Sequence, residues 1–194
     1  NGEEVDGDKL MAVFAKHLMD EGKLKNNTLV CTTMSNLGLY EMAKQYGINI
    51  KVTDVGDRYV LEEMLRGGYC LGGEASGHII FADHATTGDG QMAAVQLMKI
   101  MAKNGRMSEL AGLMERYPQV MLNVRVKPEV KMNYAKDKDV TEAIKSVEQH
   151  LGDQGRIIVR ASGTEPLVRV MIEGRDYDEI NELAYKVAEK IKAV

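Results

Sequence analysis

The sequence predicts an α/β protein: a three-layer α/β domain followed by a small α+β domain of order strand–helix–strand–strand–helix. Three observations predict it. Helical and strand-like apolar patterns alternate at short spacing as far as Gly68, the signature of a largely parallel sheet between helix layers. Tyr117-Pro118 then interrupts the chain, since the residue before a proline favours extended backbone. Beyond that point the strands come as a pair flanked by amphipathic helices. The domains are accordingly expected at residues 1–116 and 117–194.

In the first half, Leu10, Val13, Phe14, His17 and Leu18 recur at helical spacing, which predicts a helix from about Gly7 to Asp20, closed by Gly22. Asp6 or Asp8 serves as its N-cap. Thr28 to Thr32 is a short apolar strand, and Ser35 or Asn36 caps a second helix that ends at Gly47. Ile48 to Val52 reads as a strand, and Val60, Leu61, Met64 and Leu65 give a helix ending at Gly67-Gly68. Tyr69 to Leu71 and Ile79 to Phe81 are strands on either side of a polar loop. A long helix follows Gly88-Asp89-Gly90 and stops at Gly105, and a short one spans about Ser108 to Glu115.

In the second half, Val120 to Val126 alternates as a half-buried strand does. Asp139 and Glu142 flank a helix start in capping-box fashion, with Val140, Ile144, Val147 and Leu151 on one face. Arg156 to Ala161 and Leu167 to Glu173 form a strand pair. The last helix carries Ile180, Leu183, Ala184, Val187 and Ile191, with acids at its start and lysines at its end as the helix dipole prefers.

Bulk properties exclude several function classes. A formal net charge of −4 and only ten aromatics (Tyr 8, Phe 2) argue against a nucleic-acid partner or an anionic membrane. No apolar run approaches the ~20 residues of a membrane span. Cys31 and Cys70 sit in apolar runs, which suggests reduced, buried thiols of a cytoplasmic protein. The thirteen methionines read as adaptable core filler.

Two loops carry chemistry. Arg160-Ala-Ser-Gly-Thr-Glu-Pro-Leu-Val-Arg169 places two guanidinium forks, two hydroxyls and a glycine on one strand–loop–strand turn. Arg160 and Arg169 suit bidentate phosphate binding, Ser162 and Thr164 add hydroxyl donors, and Gly163 allows close backbone approach. A plain hairpin turn is the structural alternative, and the two flanking arginines weigh against it. The second loop, Gly72-Gly-Glu-Ala-Ser-Gly-His78, gathers a carboxylate, a hydroxyl and an imidazole. Drawn as extended chain, Glu74, Ser76 and His78 point to one side, where they suit the vicinal hydroxyls of a sugar, with His78 bonding a hydroxyl or moving a proton. One histidine and one glutamate are too few for a metal site. A third segment, Thr53-Asp-Val-Gly-Asp-Arg58, follows a strand at the end where open α/β sheets bind ligands. Asp57 would equally serve there as a cap for the next helix.

The two loops together resemble those of the α-D-phosphohexomutase superfamily. There a Gly-Glu-x-Ser-Gly-His loop of the third domain holds sugar hydroxyls, and an Arg-x-Ser-Gly-Thr-Glu-Pro loop of the fourth holds the phosphate that is not being transferred. Ile79-Ile-Phe with Thr86-Thr-Gly-Asp-Gly90, Val55-Gly-Asp-Arg-Tyr-Val60 and the ending Arg169-Val-Met-Ile-Glu173 are similar to the superfamily's amino-sugar branch. Ala75, where glutamine is common, is a mild departure.

The resemblance implies a cytoplasmic enzyme that interconverts glucosamine 6-phosphate and glucosamine 1-phosphate through a phosphoserine and a bisphosphate intermediate. It implies Glu74, Ser76, His78, Gly56, Asp57 and Arg58 on the sugar, and Arg160, Ser162, Gly163, Thr164 and Arg169 on the phosphate. It also implies magnesium, a glucose 1,6-bisphosphate-type activator and, for the full-length enzyme, a homodimer as the assembly to test. No segment matches the phosphoserine loop. Asp6-Gly7-Asp8 only superficially matches the magnesium loop, which in the family lies just ahead of this position. The chain is therefore expected to be the C-terminal part of such an enzyme, opening at a hairpin tip (Asn1-Gly-Glu-Glu) and inactive alone. A phosphomannomutase or phosphoglucomutase shares both loops, and a non-catalytic sugar-phosphate binding module is the alternative from another class.

Overall fold

The computed structural model of the protein describes residues 2–194, so Asn1 of the expected hairpin tip lies outside the described residues. The chain forms two compact units that meet in sequence at Arg116 and Tyr117.

In the first unit, helices α1 (Gly7–Asp20), α2 (Leu37–Tyr46) and α3 (Asp57–Gly67) alternate with strands β1 (Thr28–Thr32), β2 (Asn49–Thr53) and β3 (Leu71–Gly73). Strand β4 (Ile79–Phe81) and helices α4 (Gly90–Asn104) and α5 (Met107–Leu110) complete it. The sheet order is β2-β1-β3-β4, with β1 parallel to both neighbours and β4 antiparallel to β3. All five residues of β1 are buried, as a central strand covered on both faces requires. Alternate residues then serve different layers. Leu29 and Cys31 join Met11, Phe14 and Leu39 in the core beneath α1 and α2. Val30, with Ile80, packs against Val60 and Met64 of α3 on the other face. The three layers follow from that parity. Phe14 and Phe81 meet edge to face with ring centroids 4.9 Å apart.

Local signals place the helix ends. The Asp6 carboxylate accepts from Lys9 N at 3.0 Å and caps α1, Asn36 caps α2, and Gly47 ends α2 in the left-handed region. Gly7 is needed for close approach: a Cβ there would lie 2.3 Å from the carbonyl oxygen of Glu74. The first turn of α1 thus rests directly on the β3–β4 connection.

The second unit holds strands β5 (Gln119–Arg125), β6 (Gly155–Ala161) and β7 (Leu167–Gly174), antiparallel in the order β5-β7-β6. Helices α7 (Lys138–Leu151) and α8 (Tyr177–Ala193) cover one face, where Val140, Val147, Ile180 and Val187 bury Val168, Val170 and Ile172 of the central strand. The alternate residues of β5, β6 and β7 face the other way.

Four expectations need correction. The strand expected at Tyr69–Leu71 runs over Leu71–Gly73, because Tyr69 N still closes α3 by donating to Met64 O. The helix expected over Ser108–Glu115 is α5 followed by a 3-10 turn at Ala111–Leu113. The cap of α7 is Asp137, whose carboxylate accepts from Val140 N at 3.0 Å, and Asp139 lies within the first turn. Helix α6 (Pro128–Asn133) is additional to the expected order, with Pro128 at its opening position.

Candidate functional site

The connection from β3 to β4 is a tight turn and not extended chain. Gly73 pairs with Ile79, so the intervening residues must reverse direction. Glu74 N donates to His78 O and Gly77 N to Glu74 O, both at 2.9 Å, and Gly77 takes φ +95°. The expected one-sided parity of Glu74, Ser76 and His78 is therefore wrong as geometry. The turn nevertheless brings all three to one cavity of about 450 Å³, together with Gly56, Asp57 and Thr32. Thr32 ends β1, Gly56 and Asp57 follow β2, and Glu74 follows β3, so the cavity lies at the carboxyl ends of the parallel strands. Thr32 was legible only as the end of a strand.

One bond ties two of the predicted segments together. The Glu74 carboxylate accepts from Gly56 N at 3.0 Å. Gly56 occupies the cap position of α3 at φ +137°, a backbone region closed to other residues without strain. Asp57 opens the helix, and its carboxylate accepts from Arg58 N at 2.9 Å. Arg58 does not join the cavity. Its side chain is 81% exposed and its Nε donates to Glu62 at 2.8 Å, one turn along α3.

In the second unit the register sets Arg160 of β6 directly opposite Arg169 of β7. Like charges across a strand pair repel, and a bound anion would relieve them. Arg169 Nη2 donates to the Glu165 carboxylate at 3.2 Å, while its buried Nε has no hydrogen-bond partner among the described residues. Among the described residues Arg160 makes no ion pair. Ser162, only 6% exposed, holds the turn: its N–H donates to Leu167 O at 2.9 Å and its Oγ accepts from Glu165 N at 3.2 Å. Gly163 and Thr164 are exposed at the tip. Sequence reasoning missed Lys131, whose Nζ donates to Glu165 O at 2.8 Å from α6. No spacing rule links a helix turn to a loop so far along the chain.

A larger cavity, about 730 Å³, lies between α7 and α8 and includes His150, Glu179 and Lys186. It is an open groove along two amphipathic helices, and His150 there pairs with Glu179 at 2.8 Å. Size alone does not make it the site, because Arg160 and the unpartnered Nε of Arg169 are elsewhere.

Asp6 and Asp8 are engaged in the fold. Asp6 caps α1 and lies 3.5 Å from Arg116, and the Asp8 carboxylate accepts from Asn36 N at 2.8 Å. Among the described residues no group of three or more histidines, cysteines and acids is placed to hold a metal ion. Among the described residues no helix is long and apolar enough to cross a membrane.

Residues 6–117 match the α/β/α domain III of phosphoglucomutase/phosphomannomutase, and residues 121–190 match the C-terminal domain of the same family. The phosphoglucosamine mutases of Caldicellulosiruptor saccharolyticus and Alkaliphilus oremlandii are each 53% identical to 99% of this chain. The chain spans 43% of the length of these curated relatives. A solved structure of Aspergillus fumigatus N-acetylphosphoglucosamine mutase, in complex with GlcNAc-6P and magnesium, superposes with a TM-score of 0.79. That comparison covers 96% of this chain and 47% of the other at 21% identity. A phosphoglucomutase/phosphomannomutase family protein from Burkholderia thailandensis gives a TM-score of 0.75 over 99% of this chain and 42% of its own, at 17% identity. At those identities the two structures speak for the fold alone. With both family domains matched in order, the chain belongs to the phosphoglucomutase/phosphomannomutase family.

Proposed function

We propose that this chain is the sugar- and phosphate-binding C-terminal part of a phosphoglucosamine mutase, a cytoplasmic enzyme that interconverts glucosamine 6-phosphate and glucosamine 1-phosphate. The observation that carries the reading is the Arg160–Arg169 pair, two arginines directly opposite each other in the register of β6 and β7, with a buried donor of Arg169 left over. The 53% identity to curated phosphoglucosamine mutases supports the amino-sugar branch over the hexose mutases.

In this reading Arg160 and Arg169 grip the phosphate that stays on the sugar, and the Gly163 and Thr164 backbone and hydroxyl close over it. Glu74 and Ser76 accept and donate to ring hydroxyls, His78 bonds a hydroxyl or moves a proton, and Gly56 and Asp57 line the same cavity. Arg58 would reach a ligand only by leaving Glu62. Phosphoryl transfer depends mainly on positioning and charge neutralisation, so a binding part contributes to rate without touching the transferred group. The phosphoserine and its magnesium belong, in this reading, to the rest of the enzyme. Asp6 and Asp8 do not fit the metal, being committed to Lys9, Arg116 and Asn36.

The test is turnover of glucosamine 6-phosphate, with magnesium and glucose 1,6-bisphosphate, by the full-length polypeptide that ends in this sequence and by its Arg160→Ala variant. A loss of roughly tenfold or more in kcat/KM is expected, as for a bond to a charged group. Unchanged kinetics would remove the phosphate role, and faster turnover of mannose or glucose phosphates would move the chain to the hexose branch.

A further inference from the structure

The phosphate loop contains an anion of its own. Glu165 is four residues before Arg169, and its Oε2 accepts from Arg169 Nη2 at 3.2 Å. We propose that the Glu165 carboxylate is a built-in counter-ion that occupies Arg169 in the absence of phosphate and competes with it. The inference rests on the phosphate reading of Arg160 and Arg169 and adds a regulation of that same site.

The division of labour within Glu165 supports it. Its backbone builds the loop: the N–H donates to Ser162 Oγ at 3.2 Å, and the carbonyl accepts from Leu167 N at 2.9 Å and Lys131 Nζ at 2.8 Å. Its side chain makes no contribution to those bonds. The carboxylate is 55% exposed and Arg169 32% exposed, so the pair sits where solvent screens it and a stronger anion can displace it. Arg160, opposite Arg169, has no ion pair among the described residues to give up. A phosphate therefore meets one vacant guanidinium and one held by a weak monodentate partner. Displacement frees Glu165 into water and leaves the backbone bonds of the loop in place. Such a counter-ion lowers repulsion between the two arginines when the site is empty, at the expense of affinity.

The experiment titrates inorganic phosphate into the 194-residue chain, followed by the amide shifts of Gly163 and Thr164, for the parent, Glu165→Gln and Arg160→Ala. Removing an exposed competing charge should tighten phosphate about two- to fivefold in Glu165→Gln. Arg160→Ala should weaken it. If Arg160→Ala binds as the parent does, the phosphate reading fails, and the counter-ion falls with it. If Arg160→Ala weakens binding while Glu165→Gln binds equally or less well, the counter-ion alone is refuted and Glu165 merely shapes the loop. Because the loop's backbone bonds do not use the altered group, Glu165→Gln should melt within a few degrees of the parent. A large loss of stability would likewise overturn the division of labour.

Discussion

Glu74 ties two turns of the first unit together and carries a sugar contact in the proposed function, and its removal can be followed at one atom. Its carboxylate accepts from Gly56 N at 3.0 Å and so holds the β2–α3 turn against the β3–β4 turn. A hydrogen bond to a charged group contributes ~1.5–3 kcal/mol when buried. Here Glu74 and Gly56 are half-buried and water can replace the lost partner, so Glu74→Ala should cost about 1 kcal/mol locally. Glu74→Gln keeps an acceptor oxygen and should lose about half of that. The assay is hydrogen exchange at the Gly56 amide, where 1 kcal/mol of local opening corresponds to roughly a fivefold faster rate. The expected order is parent slowest, glutamine intermediate, alanine fastest. Equal rates in all three would refute the tie. If Glu74 holds a sugar hydroxyl as proposed, turnover by the full-length polypeptide should also fall in both variants, since an amide does not replace a carboxylate there without loss.

Further outcomes follow from the same geometry. Gly56→Ala forces a Cβ onto a backbone at φ +137° and within 3.3 Å of the Tyr59 ring, and should cost about 1–3 kcal/mol by thermal or urea unfolding. Gly7→Ala places a Cβ 2.3 Å from Glu74 O, so the amide shifts of residues 74–78 should move even where the helix survives. Glu21, held down to about 2 by hydrogen bonds from Lys103 and Lys23, should titrate near that value by carboxyl carbon NMR. A folded pKa below the unfolded one stabilises above the unfolded value and is lost as pH falls, so between about 4.5 and 2 the parent should lose more stability than Glu21→Gln.

The sequence made most helices legible because their ends carry short-range chemistry: Asp6 and Asn36 as caps, Gly47 and Gly68 in left-handed geometry. β1 was legible from its unbroken apolar run. Helix α6 was not, since its 6 residues make less than two turns, too few to show a period. The site was partly legible. Both loops stood out by composition, yet Glu74, Ser76 and His78 share a cavity because a turn folds them there, whereas Arg58 is drawn off by Glu62. Lys131 depends on tertiary placement that no local pattern encodes, and the Glu165–Arg169 pair on how the β6–β7 turn bends.

The central claim, that phosphosugar recognition resides in these two loops, is tested most directly by amide shift mapping of the 194-residue chain with glucosamine 6-phosphate. Shifts should concentrate at Gly56, at Glu74 to His78 and at Ser162 to Arg169, and the Arg160→Ala variant should lose those of the second group. Shifts confined to the groove of His150, Glu179 and Lys186, or none at millimolar ligand, would contradict the account.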